Sequence, residues 1–204
     1  MPVDVKVTKI VRRLLTWGLA NVIFTVGHST HPIEEFIRIL QAHGIKQLVD
    51  VRTIPRSRRN PQFNSETLAA SLKSAGIAHL HMAGLGGLRH PRPDSRNMGW
   101  RNASFRGYAD HMQTPAFQQD LRTLMQRASE APTAIMCAEA VPWRCHRSLI
   151  ADALLAHGIE VQEILNAAKS RPHALTPFAK VEGTEVSYPL AAESENLKLE
   201  FDAP

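Results

Sequence analysis

The chain has little cysteine, two residues in 204, and no apolar run long enough to cross a bilayer. Two cysteines eight positions apart, with no convincing secretory signal, lead us to expect a reducing compartment, the cytoplasm, where both stay thiols or act in chemistry. Lys9, Arg12 and Arg13 before Leu14 to Val26 resemble a signal peptide, but Thr16, Trp17, Gly18 and Asn21 interrupt the run and no small-residue cleavage site follows. Residues 1–21 therefore read as an N-terminal extension with a short amphipathic helix over 5–18. A dinucleotide fingerprint is also lacking, because Gly84-x-Gly86-Gly87 has neither the third glycine nor a helix directly behind it. Cys137, Cys145 and His146 are the ligands a metal would take, but their spacing is not a familiar one, so no metal or other cofactor is expected.

Composition, with 44% hydrophobic and 21% charged residues, suits one globular domain over residues 22–180. Net charge is +5, unevenly spread. Residues 181–204 hold six acids and one lysine, or −5, and read as a flexible acidic tail, which leaves +10 on the rest. So basic a body points to an anionic partner, either a small phosphorylated or nucleotide-like molecule or, as the alternative, a nucleic acid. No membrane partner is expected, and oligomeric state is not encoded in any pattern here.

Helical patterns end three times in a Gly-Ile step, at Gly44-Ile45, Gly76-Ile77 and Gly158-Ile159, and a strand-like run follows each time. Pro32 opens a helix whose stripe is Ile33, Phe36, Ile37 and Leu40; others begin near Asn64 or Ser65 and cover about 104 to 113 and 116 to 130. Strands are expected at about 22–27, 47–51, 77–82, 133–138 and 160–165, after which the pattern fades. Alternation of this kind predicts a three-layer α/β domain, Rossmann-like or flavodoxin-like, with a mainly parallel sheet of about five strands.

The most informative stretch is TAIMCAEAVPWRCHRSL, residues 133–149. A buried-looking strand delivers Cys137 and Glu139 into a loop ending in Arg144, Cys145, His146 and Arg147, and a helix begins behind it. Amides at a helix start have no intrahelical acceptor and carry the positive end of the helix dipole, so an anion or a thiolate is favoured there. Cys137 is accordingly the candidate nucleophile, with Glu139 or His146 for proton transfer and Arg144 and Arg147 for the anion. The competing account makes Cys137 a small buried hydrophobe among solvated arginines. The loop is one residue longer than the C-x5-R loop of cysteine phosphatases and lacks its glycines.

Polar clusters also end the other strands: Gly27-His28-Ser29, Asp50-x-Arg52, and His79 with His81. Parallel strands share one C-terminal edge, so these residues converge. In a strand order 3-2-1-4-5, His28 and Ser29 would flank Cys137. Asp50 reads equally as an anchor for Arg52, and Arg56, Arg58 and Arg59 form a basic cluster. Residues 83–103 have no periodicity and read as a lid or a solvated basic loop, with Arg89, His90, Arg92, Arg96 and Arg101 able to close on an anion and Trp100 able to stack on a planar group.

The segments TVGHS (25–29), LVDVRTIPRSRRNPQF (48–63), GLGG (84–87) and CAEAVPWRCHRSLIADAL (137–154) closely resemble the bacterial and archaeal domain-of-unknown-function 488 family over about residues 22 to 180. The family's pattern maps onto Gly27, His28, Ser29, Asp50, Arg52, Pro55, Ser57, Cys137, Glu139, Cys145, His146 and Arg147. Resemblance of this kind sharpens the site without naming a reaction. The expectation is therefore an enzyme of open reaction class, with Cys137, Glu139, His146 and His28 catalytic and Arg144, Arg147, Arg52, Ser29 and Arg56 on the anion. Nucleic-acid binding and a Cys/His metal site are the alternatives, and a redox pair of Cys137 with Cys145 stays open.

Overall fold

Strand β1 (Val22–Gly27) opens the part of the chain that the structure, a computed structural model, describes, which is residues 22–190. The helix expected over 5–18 and the last residues of the acidic tail fall outside it. Then come α1 (Ile33–Ala42), β2 (Gln47–Asp50), α2 (Ser65–Ser74), β3 (Ala78–His81), α3 (Ala103–Met112) and α4 (Pro115–Glu130). The central site segment follows as β4 (Thr133–Cys137), α5 (Arg147–Ala156) and β5 (Glu160–Asn166), and the chain ends in β6 (Lys169–Pro172), β7 (Lys180–Glu182) and β8 (Glu185–Ser187). Gly44, Gly76 and Gly158 follow helices at φ of 69°, 71° and 74°, the left-handed conformation their sequence positions required.

The main sheet has six strands in the order β3-β2-β4-β1-β5-β6, the first five parallel and β6 antiparallel to β5. Its core thus has the order 3-2-4-1-5 rather than 3-2-1-4-5. β4 takes the centre because all five of its residues are buried, whereas β3 carries His79 and His81 and stays at the edge. Alternate residues of β4 face opposite sides. Ala134 and Met136 join Phe36, Leu40, Leu68 and Leu72 of α1 and α2, while Ile135 and Cys137 join Tyr108, Leu121, Leu124, Leu149 and Ile150 of α3, α4 and α5. Helices therefore cover both faces of an α/β sheet, and Cys137 lies on the side of α5.

Structure continues past Leu165, where periodicity fades, and past 181, where the tail was expected to start. The β7–β8 hairpin docks because Val186 and Tyr188 are buried, a fact the acid count hides. Tyr188 N–H donates to Asn97 Oδ1 (2.9 Å) and its hydroxyl to Asp152 Oδ2 (2.7 Å). Asp152 belongs to a buried clasp in which His173 places Nε2 2.8 Å from Asp152 Oδ1 and Nδ1 2.8 Å from Glu163 Oε1. Both ring nitrogens face carboxylates, so both carry protons and His173 is an imidazolium.

Candidate active site

The C-terminal ends of β1, β2 and β4 lie side by side, Gly27 opposite Cys137 and Asp50 opposite Met136. After β1 and β2 the chain turns to the helices of one face and after β4 to α5 on the other, so a crevice opens beyond the strand ends, where open α/β sheets bind ligands. A cavity of about 650 Å³ occupies it, within the usual range for a small-molecule site. Its walls are residues 28–30 after β1, Arg52 to Ile54 with Arg56 and Ser57 after β2, Gly87 and Leu88, Phe105 and Tyr108 of α3, and residues 137–140 and 144–146 around the cysteines.

Cys137 and Cys145 meet at the floor, with their sulfurs in direct contact as a disulfide pair and their Cα atoms 7.7 Å apart. Beneath them lies Arg147, 1% exposed, whose Nε–H donates to Cys137 Sγ (3.0 Å) and whose Nη2 donates to the Glu139 carbonyl (2.6 Å). Among the described residues no carboxylate comes within ion-pair distance of this guanidinium. Burial holds its pKa down at about 10, against the more distant pull of Glu163 and Glu139. Arg147 also begins α5, so the positive end of the helix adds to its own charge. It does not line the cavity, and so touches the sulfur rather than a ligand.

Both candidate histidines are held neutral. His146 Nε2 donates to the Val51 carbonyl (3.0 Å), which leaves the Nδ1 lone pair 3.6 Å from Cys145 Sγ. Burial, helped by Arg147 and Arg89, brings its pKa down to about 4 despite the bond to Val51. His28 Nδ1 donates to the Ser29 carbonyl (2.8 Å), and its Nε2 accepts from Arg52 Nη1 (3.3 Å). Burial brings this ring to about 4 as well, and Phe63 stacks on it at 4.1 Å. His28 thus faces the cavity with both nitrogens occupied, an arrangement that supplies no base. Arg52 is committed too, donating to Asp50 Oδ1 from Nε (2.9 Å) and to Asp50 Oδ2 and the Phe63 carbonyl from Nη2 (2.6 and 2.8 Å). Asp50 is the anchor that was one of its two readings.

The free cations of the wall are Arg56 and Arg144, neither of which makes an ion pair among the described residues. Backbone amides add to them: no protein acceptor among the described residues takes the N–H of Ala138, Glu139 or Ala140. The wall also contains both non-glycine residues with positive φ in the described chain, Ser29 at 47° and Leu88 at 57°. Strain of this kind costs about 1–3 kcal/mol and concentrates at functional sites. Two glycines fit the walls together, since a Cβ on Gly27 would strike the Glu139 backbone and one on Gly87 would sit 3.1 Å from His146 Nδ1.

The basic stretch 83–103 does not close over the cavity. Arg89 donates to the carbonyls of Gly86 and Gly84, Arg92 pairs with Asp94, Arg96 pairs with Glu185, and Trp100 packs on Phe105, Phe178 and Tyr188. Intramolecular partners thus engage Arg89, Arg92 and Arg96, three of the five groups expected to reach an anion, and His90 and Arg101 do not line the cavity. Nothing in the sequence singles out Phe105 or Tyr108, which line the cavity, because no local signal distinguishes a core aromatic from one that faces a cavity. Among the described residues no group of three or more His, Cys, Asp or Glu is gathered closely enough to hold a metal ion, and Cys137, Cys145 and His146 do not form one. No helix among them is long and apolar enough to cross a membrane.

No curated protein and no solved structure matches the chain significantly. Residues 32–154, which run from the start of α1 through Cys137, Cys145 and most of α5, match the family described as Domain of unknown function DUF488. That stretch is more than half of the chain and contains the cysteine floor with most of its walls, and the protein belongs to this family.

Proposed function

We propose that the cavity is the active site of a thiol-dependent enzyme in which Cys137, as a thiolate, attacks a small anionic substrate. One observation carries the reading: Arg147 is a buried cation at a helix start, and among the described residues the only group that can take a negative charge at contact distance from it is Cys137 Sγ. Burying an unpaired charge costs several kcal/mol, so the pair is most stable when the sulfur is ionised. Arg56, Arg144 and the amides of Ala138 to Ala140 supply positive groups for the anion, a phosphorylated or nucleotide-like molecule in the first instance. Of the two groups named for proton transfer, His146 has one nitrogen bound to the Val51 carbonyl and the other beside Cys145, while no hydrogen bond among the described residues holds the Glu139 carboxylate, so proton transfer in the Cys137 step is assigned to Glu139. Ser29 shapes the wall through its backbone. Ligand binding beyond strand ends at a switch of faces is the Rossmann-like or flavodoxin-like mode of use, and a free thiolate suits the reducing cytoplasm.

The test is the pH dependence of Cys137 alkylation by iodoacetamide in reduced Cys145→Ser protein. The reading expects rapid alkylation that persists well below the free-thiol value of about 8.5. A rate that tracks an ordinary thiol would leave Cys137 as a small buried hydrophobe and remove the nucleophile.

A further inference from the structure

We propose that Cys137 and Cys145 form a working redox pair, and that the site reduces a small anionic disulfide, with Cys137 attacking and Cys145 resolving. The inference rests on the nucleophile just described and adds the second thiol and the substrate class. Each sulfur has its own activating group: Cys137 has the Arg147 guanidinium at 3.0 Å, and Cys145 has the Nδ1 lone pair of His146 at 3.6 Å. Nothing in a structural bridge calls for either. Nor would a structural bridge sit on a cavity floor, as both of these cysteines do. Oxidation leaves Arg147 buried without an anion while reduction restores one, so a dithiol reductant opens the bridge readily and resets the pair, and the forward step runs on substrate disulfides more oxidising than the pair, those with acidic, easily expelled thiols.

The steps balance. The Cys137 thiolate attacks one sulfur of a substrate R–S–S–R, forms the mixed disulfide Cys137–S–S–R and expels RS⁻. Cys145 gives its proton to His146 Nδ1 and attacks Cys137 Sγ, which lies in contact with it. The Cys137–Cys145 bond forms, the second RS⁻ leaves, and the His146 proton passes to it. Two electrons have moved from the protein's thiols to the substrate, and a dithiol reductant entering by the open cavity resets the pair. Arg56 and Arg144 hold the substrate's carboxylate or other anionic group.

The probe is dithiobis(nitrobenzoate), an anionic aromatic disulfide whose released thiolate is coloured, mixed with the reduced full chain in rapid flow. Wild type should release two thiolates per chain and end free of adduct mass. Cys145→Ser should release one, equally fast, and keep the adduct. His146→Gln should leave the first release unchanged and slow the second about a hundredfold, an effect that a purely structural histidine would not confine to one step. Wild type that keeps its adduct after a fast first release would overturn the redox pair and spare the nucleophile, whereas a slow first release in both wild type and Cys145→Ser would sink the nucleophile itself. If Cys145→Ser does not fold, the two phases of wild type and His146→Gln decide alone.

Discussion

Arg147→Met tests whether a charge really passes between Arg147 and Cys137. The guanidinium is 1% exposed and donates to Cys137 Sγ over 3.0 Å, so the bond is shielded from water and salt. A hydrogen bond to a charged partner is worth about 1.5–3 kcal/mol, against about 1 kcal/mol between neutral groups. The difference, about 0.5–2 kcal/mol at 1.36 kcal/mol per pH unit, moves the thiol titration up by about half to one and a half units and slows alkylation about threefold to thirtyfold at pH below the wild-type titration. Stability gives the second measure. Urea unfolding of Arg147→Met, Cys137→Ala and the double variant, in reductant, forms a cycle that isolates the pair. The coupling should be about 2 kcal/mol at about pH 8, and at about pH 5, where the thiol is neutral, it should fall below about 1 kcal/mol. Met is close to Arg in length and apolar, so the lost packing is small and largely cancels in the cycle. Equal coupling at both pH values, or an alkylation rate unchanged by Arg147→Met, would show that Cys137 is not ionised and that Glu163 and Glu139 balance the buried cation from a distance.

The His173 clasp makes stability depend on pH. Burial lowers the His173 pKa, but hydrogen bonds and charge from Asp152 and Glu163 outweigh it and raise the value from 6.5 to about 9. Such a group contributes fully below the unfolded value of about 6.5, and the contribution, about 3 kcal/mol in all, is lost as pH rises through about 9. Unfolding curves for wild type and His173→Gln should therefore converge as pH climbs across that interval, and parallel pH profiles would refute the imidazolium. Gly27→Ala drives a methyl group into the Glu139 backbone, which should cost about 1–3 kcal/mol in urea unfolding and alter the Cys137 alkylation rate; a variant as stable and reactive as wild type would mean that the wall yields freely.

Much of the fold was legible because it was local. Gly-Ile junctions, the Pro32 start and the apolar stripes report on a few neighbouring residues, and the helices and parallel strands came out within a residue or two of their observed bounds. Strand order is not local. Nothing in residues 133–137 says that β1 will lie on one side of them and β2 on the other, except that all five are buried, which is a property of the finished sheet. The β7–β8 hairpin was hidden for a related reason: two buried residues, Val186 and Tyr188, outweigh the acids around them.

Residue type picked out residues that line one cavity but could not assign roles among them, because a role depends on which partners are already taken. His28 was read as catalytic from its position after β1, and its Nε2 accepts from Arg52, which in turn is held by Asp50 and Phe63. All of these are buried, and their bonds to one another brace the cavity wall that His28 and Arg52 line. Arg147 was read as an anion contact, and its guanidinium lies against Cys137 Sγ and the Glu139 carbonyl, outside the cavity lining. The two arginines that do face the cavity without ion pairs, Arg56 and Arg144, are the exposed ones. Buried polar groups must find partners within the protein, and those partners fix their protonation, so the groups left available to a ligand are the ones the fold has not consumed. By that criterion the proposed chemistry rests on Cys137 with its cation, Cys145 with its base, and Glu139 at the wall.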